Sequence, residues 1–226
     1  MARRHLVGAT LAVVAALAIS ACAPGPVTSN TAGGGASPSS GVQGATCSYP
    51  MSGTPARPVD PPSATGVPDT GTTAATLHFA SGDVTITLDR AAAPCTVNSF
   101  VSLASQGFFD HTACHRLVDT GIFILQCGDP TGTGTGGPGY SFADELSGHE
   151  TYPTGTVAMA NRGPNTNGSQ FFLVWADSPL PPAYTVFGHM DAAGLKVIQA
   201  IASQGVSAKD GITPIADATI TSVSLG

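Results

Sequence analysis

The residues of this chain that could do chemistry lie in two short stretches. Arg116 stands between apolar neighbours in the segment CHRLV, residues 114–118. The segment NRGPNTNGSQFF, residues 161–172, combines amide side chains and turn-forming residues with two phenylalanines at its end. It is too polar for a core strand, and its end is too apolar for a free loop. Together the two stretches offer a guanidinium, side-chain amides and aromatic rings, which suit hydrogen bonding and apolar contact.

Other kinds of site find no support in the sequence. The five histidines after residue 22 are scattered singly and form no metal-ligand cluster: His78, His111, His115, His149 and His189. The glycine-rich residues 128–139 lack the Lys-Ser/Thr pair and the following helix of a phosphate-binding loop, so we expect a mobile or packing loop. No GxSxG motif occurs, and no spacing suggests a carboxylate pair. The sequence therefore predicts neither a metal nor a cofactor.

The charge of the chain excludes one class of partner. Only 10% of the residues are charged, and 8 basic residues stand against 14 acidic ones. Removal of the first 21 residues would delete Arg3 and Arg4 and leave 6 basic against 14 acidic residues, a net charge of about −8. No basic patch remains, so nucleic acid is not an expected partner.

The elements that would position these residues are mostly strands. Residues 75–89 alternate apolar and polar side chains around a Ser-Gly-Asp turn, which is typical of a β-hairpin. One helix is predicted between Pro94 and Gly107, and a second after the N-cap candidate Asp191. Further short strands are predicted at CHRLV, FILQCG, TVAMA, FFLVW, VFGHM and ATITSVSL. About eight strands with two helices indicate a closed or sandwiched antiparallel sheet.

The start of the chain is similar to a bacterial export signal. A basic start and the apolar residues 6–18 precede ISAC, residues 19–22, which resembles the lipobox of bacterial lipoproteins. We expect a signal peptide over residues 1–21 and a lipid on Cys22, which would anchor the protein on the extracytoplasmic side of the cell membrane. An ordinary signal peptide cleaved nearby and an uncleaved anchor are the alternatives.

A Pro/Gly/Ser-rich tether is predicted over residues 22–71, followed by a folded domain over residues 72–226. The tether has almost no aliphatic periodicity, so it cannot bury enough apolar surface to offset the entropy of ordering. Cys47 and Tyr49 stand out within it, and they suggest that its second half packs on the domain.

The domain resembles the cyclophilin family of peptidyl-prolyl cis-trans isomerases. The resemblance lies in CHRLV, GIFILQCGD, MANRGPNTNGSQFFLVW and YTVFGHM, in this order, and covers roughly residues 76–226. It implies a closed eight-stranded antiparallel β-barrel capped by two α-helices, with the active groove on its outer face. It also implies an isomerase that acts as a monomer on proline-containing polypeptides. A catalytically weak proline-peptide binding module, or a holdase on the cell envelope, is the alternative function.

The resemblance implies roles for ten residues. Arg116, Phe123 and Gln126 match the positions that act on the prolyl bond. The positions that hold the substrate match Ile124, Ala160, Asn161, Gln170, Phe172, Leu180 and Tyr184. The proline ring would enter an apolar pocket, and the two glutamines would hydrogen-bond substrate carbonyls or hold the arginine.

The mechanism that the resemblance implies needs no acid, base or nucleophile. Amide resonance sets the barrier to X-Pro rotation at ~18–20 kcal/mol. An apolar pocket disfavours the planar, charge-separated amide, and Arg116 would donate a hydrogen bond to the prolyl nitrogen only in the twisted state. Such differential binding lowers a barrier.

The sequence departs from the common family pattern at several positions. Two extra residues separate Arg116 from Gln126, with DTGI in place of a Pro-Gly turn. Ile124 stands where most members have Met, residues 179–180 are Pro-Leu instead of Trp-Leu, and Tyr184 replaces a His. We expect activity to survive these changes, whereas strong binding of cyclosporin-type inhibitors is in doubt.

Four cysteines follow the lipidation site, and an even number outside the cytoplasm suggests disulfides. Four cysteines allow three pairings. The resemblance places Cys114 and Cys127 on neighbouring strands that flank a hairpin, which favours a bridge between them. Cys47 and Cys95 would then form the second bridge and pin the tether.

Overall fold

The structure is a computed structural model, and it describes residues 44–226. The predicted signal peptide over residues 1–21 and the lipidation site Cys22 lie outside the described residues. The described elements are β1 Thr72–Phe79, β2 Gly82–Asp89, α1 Pro94–Ser105, β3 Thr112–Ala113, β4 Arg116–Thr120, β5 Ile122–Cys127, β6 Thr156–Met159, β7 Phe171–Val174, β8 Val186–Met190, α2 Ala192–Ala202 and β9 Thr219–Leu225. Within residues 44–226, no helix is both long and apolar enough to cross a membrane.

The strands form one curled antiparallel sheet with the order β3-β9-β1-β2-β8-β6-β7-β5-β4. The prediction of a closed eight-stranded barrel is therefore wrong: the sheet has nine strands and is a half-barrel with two edges. Its two edge strands, β3 and β4, are consecutive in the chain and are separated only by Cys114 and His115. They do not pair with each other, so no ladder of backbone hydrogen bonds closes the barrel.

The inner face of the sheet carries the main core. Both helices pack over it, and an aromatic group fills its centre. The ring of Phe100 on α1 lies 5.1 Å from that of Phe109 and 5.4 Å from that of Phe171 on β7. Phe187 on β8 completes the group at 5.5 Å from Phe100. The ring of Phe171 thus packs β7, the strand at the end of the amide-rich segment, into the core.

Both helices begin where the sequence predicts. Pro94 occupies the first turn of α1, where its missing N–H costs nothing. The carboxylate of Glu145, from a distant loop, accepts hydrogen bonds from the backbone N–H groups of Cys95 and Thr96 at 2.9 and 2.8 Å. A carboxylate at this end also stabilises the helix dipole. Helix α2 is capped by Asp191, whose Oδ1 accepts from the N–H of Gly194 at 2.6 Å.

Loss of the Asp191 cap should have a measurable but limited cost. We expect Asp191→Ala to lower the free energy of unfolding by ~0.5–2 kcal/mol, because the first turn of α2 loses a hydrogen-bond acceptor. Urea denaturation checks this value. Asp191→Asn, which keeps an oxygen at the cap, should lose clearly less; equal losses in the two variants would contradict the capping role.

The segment of residues 44–71, called the upstream segment below, lies against the domain. Arg57 Nη1 donates to three backbone carbonyls at the end of α1, those of Gly107, Phe108 and Asp110, at 2.8–3.0 Å. Tyr49 donates its hydroxyl to the carbonyl of Cys95 at 2.8 Å. Burial raises the pKa of Tyr49 to about 12, so this hydroxyl keeps its proton across the physiological pH range.

The structure contains the two disulfides that the sequence analysis favours. Cys47 in the upstream segment is bonded to Cys95 at the start of α1, with Cα atoms 5.5 Å apart. Cys114 is bonded to Cys127 at the end of β5, beside the strands that carry Arg116 and Gln126. The first bridge therefore fastens the upstream segment, and the second ties β5 to the β3–β4 connection.

Candidate active site

Strand register aligns the central residues of the candidate site in one row across four strands. Arg116 on β4 lies opposite Gln126 on β5, and Gln126 lies opposite Phe172 on β7. Phe172 in turn lies opposite Ala158 on β6. Because side chains alternate between the two faces of a strand, all four project from the outer face of the sheet. We call these four residues the central row.

A chain of hydrogen bonds orients the polar end of this row. Arg116 Nη1 donates to Oε1 of Gln126 at 3.2 Å, and Nε2 of Gln126 donates to Oε1 of Gln170 at 2.8 Å. Nε2 of Gln170 donates to the backbone carbonyl of Gly136 at 2.8 Å. In each glutamine, the amide oxygen accepts from the neighbour on the arginine side, and the amide nitrogen donates to the next group along the chain of bonds. The chain therefore holds Arg116 without neutralising it.

The charge of Arg116 is available to a ligand. Among residues 44–226 the only pair within salt-bridge distance joins His78 and Asp83, so no carboxylate pairs with Arg116 in the described part of the chain. Its bond to Gln126 uses one of the five N–H donors of a guanidinium. The others can donate to a group placed over the row.

An apolar surface adjoins the arginine on the same face. Five buried side chains make up this outer cluster: Ile124, Tyr152, Ala158, Phe172 and Val174. Partly buried side chains pack around it, and three of them, Ala160, Leu180 and Tyr184, are predicted site residues. The ring of Tyr184 meets that of Phe172 edge-to-face at 5.5 Å. The structure thus brings five of the predicted substrate-binding residues into one apolar surface: Ile124, Phe172, Ala160, Leu180 and Tyr184.

Phe123 lies elsewhere. Alternation along β5 places it on the face opposite Ile124, and it is not among the side chains packed against the outer cluster. Its ring contacts Trp175 edge-to-face at 5.0 Å. Ile122, one residue earlier, packs against the outer cluster instead. The pairing of β4 with β5 is regular up to the turn, with Asp119 opposite Phe123, so strict alternation extends through Phe123.

The amide-rich loop builds the rim beside the row. Asn161 Nδ2 donates to the carbonyl of Ala183 at 2.8 Å, and its Oδ1 accepts from the N–H of Gly163 at 3.2 Å. The N–H of Ala160 donates to the carbonyl of Gln170 at 3.0 Å. Asn161 therefore ties the loop to the segment that carries Tyr184, and its side chain has a structural task in addition to any contact with substrate.

Tyr152 is a site residue that sequence reasoning missed. It is 2% exposed, and its ring lies 6.1 Å from that of Phe172 and 6.0 Å from that of Tyr184. Its hydroxyl donates to the carbonyl of Tyr184 at 3.0 Å and accepts from the same residue's N–H at 2.9 Å. Burial raises the pKa of Tyr152, which favours the neutral donor. A lone tyrosine in an irregular loop gives no signal in a single sequence.

His115, next to Arg116, gives the stability a defined pH dependence. Its ring nitrogens are buried and have no hydrogen-bond partner among the described residues. Burial lowers its pKa below the ordinary 6.5; Asp129 opposes this shift and Arg116 adds to it. The unfolded chain therefore takes up this proton at a higher pH than the folded protein does. This contribution to stability is present above pH 6.5 and is lost as the pH falls through the folded pKa.

We therefore expect the urea midpoint of the wild type to fall between pH 7.5 and pH 5. His115→Gln, which cannot be protonated, should show a smaller fall over this range. His189→Gln is the matched control, since His189 is exposed. An unchanged pH profile in His115→Gln would contradict the assignment.

The arrangement of these residues limits the chemistry that the site can perform. Its members are a guanidinium, two side-chain amides and an apolar surface, and the described residues contain no group of three or more His, Cys, Asp or Glu that could hold a metal ion. Such a site can bind a peptide and stabilise a changed distribution of charge in it.

Residues 74–225 match the protein-family model described as cyclophilin type peptidyl-prolyl cis-trans isomerase. This match covers more than half of the chain and includes every element of the site. The chain belongs to the cyclophilin family. The family predicted in the sequence analysis is thus confirmed, and peptidyl-prolyl cis-trans isomerase (EC 5.2.1.8) is the enzyme class that the family carries.

Two curated relatives of this cyclophilin are from mycobacteria. It is 49% identical over 198 residues to a probable peptidyl-prolyl cis-trans isomerase B of Mycobacterium leprae, covering 80% of this chain and 67% of the relative. A protein of the same description from Mycobacterium tuberculosis is 49% identical over 199 residues, covering 80% of this chain and 64% of the relative. The chain thus spans about two thirds of the length of these relatives.

Solved structures share the fold. The crystal structure of a cyclophilin type peptidyl-prolyl cis-trans isomerase of Cryptosporidium parvum superposes with a TM-score of 0.62 at 30% identity, covering 69% of this chain and 98% of that one. The same protein solved in the presence of the dipeptide Ala-Pro gives a TM-score of 0.60 and covers 68% of this chain and 98% of that one. The curled sheet with two helices is therefore the cyclophilin fold.

Proposed function

We propose that this cyclophilin accelerates the cis-trans rotation of X-Pro bonds in unfolded or flexible exported proteins. One observation carries the proposal: Arg116, with most of its donors free and no carboxylate partner among the described residues, stands in one row with the apolar Phe172. A proline ring on the outer cluster would bring its nitrogen toward the guanidinium. Nothing in this chemistry requires a metal, a cofactor or a second subunit, so we expect a monomer to be active.

The physical basis of the proposed reaction is the loss of amide resonance. The planar X-Pro amide is charge-separated, and an apolar surface solvates it poorly. Twisting the C–N bond localises a lone pair on the prolyl nitrogen, which then becomes a hydrogen-bond acceptor. Arg116 would donate to this lone pair in the twisted state and not in the planar one. Such an interaction lowers the barrier, and each ~1.4 kcal/mol of it raises the rate about tenfold.

Arginine suits this role better than lysine would. Its guanidinium keeps its charge when half-buried, and its planar fork can donate to Gln126 and to the substrate together. Gln126 would hold the guanidinium in place, and Gln170 would hold Gln126. We assign Arg116 and Gln126 to the reacting bond, and Phe172, Ile124, Ala160, Leu180 and Tyr184 to the proline and its neighbours.

Acceleration of protein folding tests the proposed activity on its natural class of substrate. The test protein is a secretory protein whose refolding is limited by X-Pro isomerisation, which takes ~10–100 s without a catalyst. Catalytic amounts of this cyclophilin should speed the slow phase in proportion to its concentration. A slow phase that stays unchanged would argue against the proposal.

The location of the protein is a second part of the proposal. We propose that residues 1–21 are a signal peptide, that Cys22 carries a lipid, and that residues 22–71 tether the domain of residues 72–226 to the cell membrane on its extracytoplasmic side. Two observations support an extracytoplasmic site: ISAC precedes the tether, and the four remaining cysteines are paired. Disulfides persist in oxidising compartments.

The anchor makes a direct prediction. When the full chain is expressed in its own host, Cys22→Ser should move from the membrane fraction to a soluble fraction, because no acyl chain can be attached without the thiol. Mass spectrometry of the wild type should show a lipid at Cys22. A soluble, unmodified wild type would overturn the anchor.

One observation favours a second candidate function. The ring of Phe123 contacts Trp175 and does not pack against the outer cluster. If the pocket needs this ring for catalysis, the protein would bind proline peptides and turn them over slowly, as a binding module or holdase. Measured turnover separates the two functions, since both predict binding.

A further inference from the structure

Arg116 occupies the least supported position of its strand. The ladder between β4 and β5 runs from the turn to the pair Arg116–Gln126 at its open end. Strand β4 is also an edge strand of the sheet. In the described part of the chain its free edge makes one backbone–backbone hydrogen bond, from the N–H of Leu117 to the carbonyl of Ile212 at 2.7 Å. Strand ends that are paired on one side only open more easily than the interior of a sheet. The position of Arg116 therefore needs support from outside the ladder.

A disulfide lies directly beyond this last pair. Cys127 follows Gln126 and is the last residue of β5, and its partner Cys114 precedes Arg116 by two residues. The bridge thus closes the open end of the hairpin, whose other end is closed by the turn. All of residues 116–126 lie inside the covalent ring that results.

Both cysteines of this bridge are fastened to parts of the fold outside the hairpin. Cys127 lies opposite Phe171 on β7, whose ring packs in the core. The N–H of Cys114 donates to the carbonyl of Ala218, the residue before β9, at 2.9 Å. The bridge therefore connects the β9 side of the half-barrel to β5, at the opening where the edge strands β3 and β4 do not pair.

Burial makes the bridge a permanent part of the folded protein. Cys114 is 2% exposed and Cys127 is fully buried, and both belong to the main core. Thiol–disulfide exchange requires an attacking thiolate to reach one of the sulfurs, which the folded protein prevents. The bridge therefore acts on its neighbours constantly and does not respond to reductants in the folded state.

We propose that Cys114 and Cys127 are positioning residues for the isomerase reaction: their bridge keeps the last pair of the β4–β5 ladder closed and so fixes the guanidinium of Arg116 in the central row. The inference rests on the proposed isomerase function. A displacement of about 1 Å can lower the rate of an enzyme about 100-fold. Because Arg116 acts on the twisted state of the substrate, a looser hairpin lowers kcat more than it raises KM.

The bridge is tested without any change to the sequence of the hairpin. Cys47→Ser/Cys95→Ser in full-length protein leaves Cys114 and Cys127 as the disulfide of the domain. This variant is unfolded and refolded with and without reductant, and peptide mapping verifies the state of the bridge. For an Ala-Pro peptide we expect the reduced form to have a kcat about 5- to 20-fold lower, with KM changed less than about twofold. Reoxidation after unfolding should restore kcat.

The other disulfide provides the matched control. Cys47 and Cys95 are separated by 48 residues in the sequence, and Cys114 and Cys127 by 13. A bridge that closes a longer loop restricts the unfolded chain more, so its loss should cost at least as much stability. The oxidised Cys47→Ser/Cys95→Ser protein should nevertheless keep the wild-type kcat. A kcat that followed the stability of the protein instead of the Cys114–Cys127 bridge would contradict the inference.

Removal of the arginine shows whether the bridge acts through it. Arg116→Ala is added to Cys47→Ser/Cys95→Ser and assayed with the remaining bridge oxidised and reduced. Reduction should change the residual kcat less than about twofold, because a positioning effect disappears together with the group that is positioned. A general loosening of the fold would lower the residual kcat as strongly as it does when Arg116 is present, and this result would overturn the inference.

A second unbridged protein guards against failure to refold. In Cys114→Val/Cys127→Ala, apolar side chains occupy the buried space of the sulfurs, and we expect a folded protein with the same fall in kcat. Wild-type kcat in a folded, unbridged protein would overturn the inference and leave the isomerase function intact. Loss of the fold in both unbridged proteins would also overturn it, because the bridge would then hold the whole domain. If the oxidised, folded wild type does not accelerate the peptide, the proposed function fails and the inference fails with it.

Discussion

Arg116→Ala is expected to lower kcat/KM for X-Pro isomerisation about 100-fold or more while the protein remains folded. The expected size of the effect comes from other enzymes: removal of one hydrogen-bond donor to a charge that develops in the transition state lowers kcat by ~10²–10³-fold. The side chain of Arg116 is half-buried and hydrogen-bonds only Gln126 among the described residues, so the variant loses a single side-chain hydrogen bond. The loss should appear mainly in kcat, because the donor acts on the twisted state.

Arg116→Lys provides the matched control for charge. It keeps the positive charge but replaces the planar fork by a point donor, so we expect it to recover only a small part of the lost activity. Arg90→Ala, at the end of β2 and outside the site, should keep full activity. Wild-type kcat in Arg116→Ala would show that the guanidinium takes no part in the reaction.

Substitution of the two adjacent phenylalanines of β7 should have different effects: one should lower the stability of the protein, and the other should lower its activity. Phe171 points into the core, is fully buried and contacts the rings of Phe100 and Phe109. Phe171→Ala should therefore lower the free energy of unfolding by ~3–5 kcal/mol. Phe172 faces the outer cluster, and we expect Phe172→Ala to reduce the activity of the folded protein at least tenfold, mainly by raising KM.

Urea denaturation and peptide kinetics on the same samples check this pair. Phe171→Leu is the conservative control: it keeps most of the core volume, so its folded molecules should isomerise peptides at nearly the wild-type rate. The assignment of faces would be contradicted if Phe171→Leu lost activity as strongly as Phe172→Ala.

The strands that carry the candidate site can be predicted from the sequence because their side chains alternate regularly. Strands β5 and β7 are short, and their period of two puts Ile124, Gln126 and Phe172 on one face. The N-cap of α2 and the Pro94 start of α1 follow from local chemistry that one residue can signal. These features depend on near neighbours in the chain, which a single sequence displays.

Features that depend on distant contacts could not be predicted in the same way. The two-residue strand β3 is too short to show any periodicity, and its pairing with β9 gives the sheet its ninth strand. The sheet stays open because the edge strands β3 and β4 do not pair with each other. The face of Phe123 depends on the pairing register of the longer hairpin. The buried position of Tyr152 arises from loops that meet only in the folded protein.

The central claim is that the outer face of this cyclophilin lowers the barrier to X-Pro rotation, and the cis-to-trans conversion of an Ala-Pro-Phe peptide at low temperature tests it most directly. With folded wild-type protein we predict conversion far faster than the spontaneous process and proportional to enzyme concentration. A rate equal to the spontaneous one, from protein that is folded and binds the peptide, would contradict the account and leave a binding module in its place.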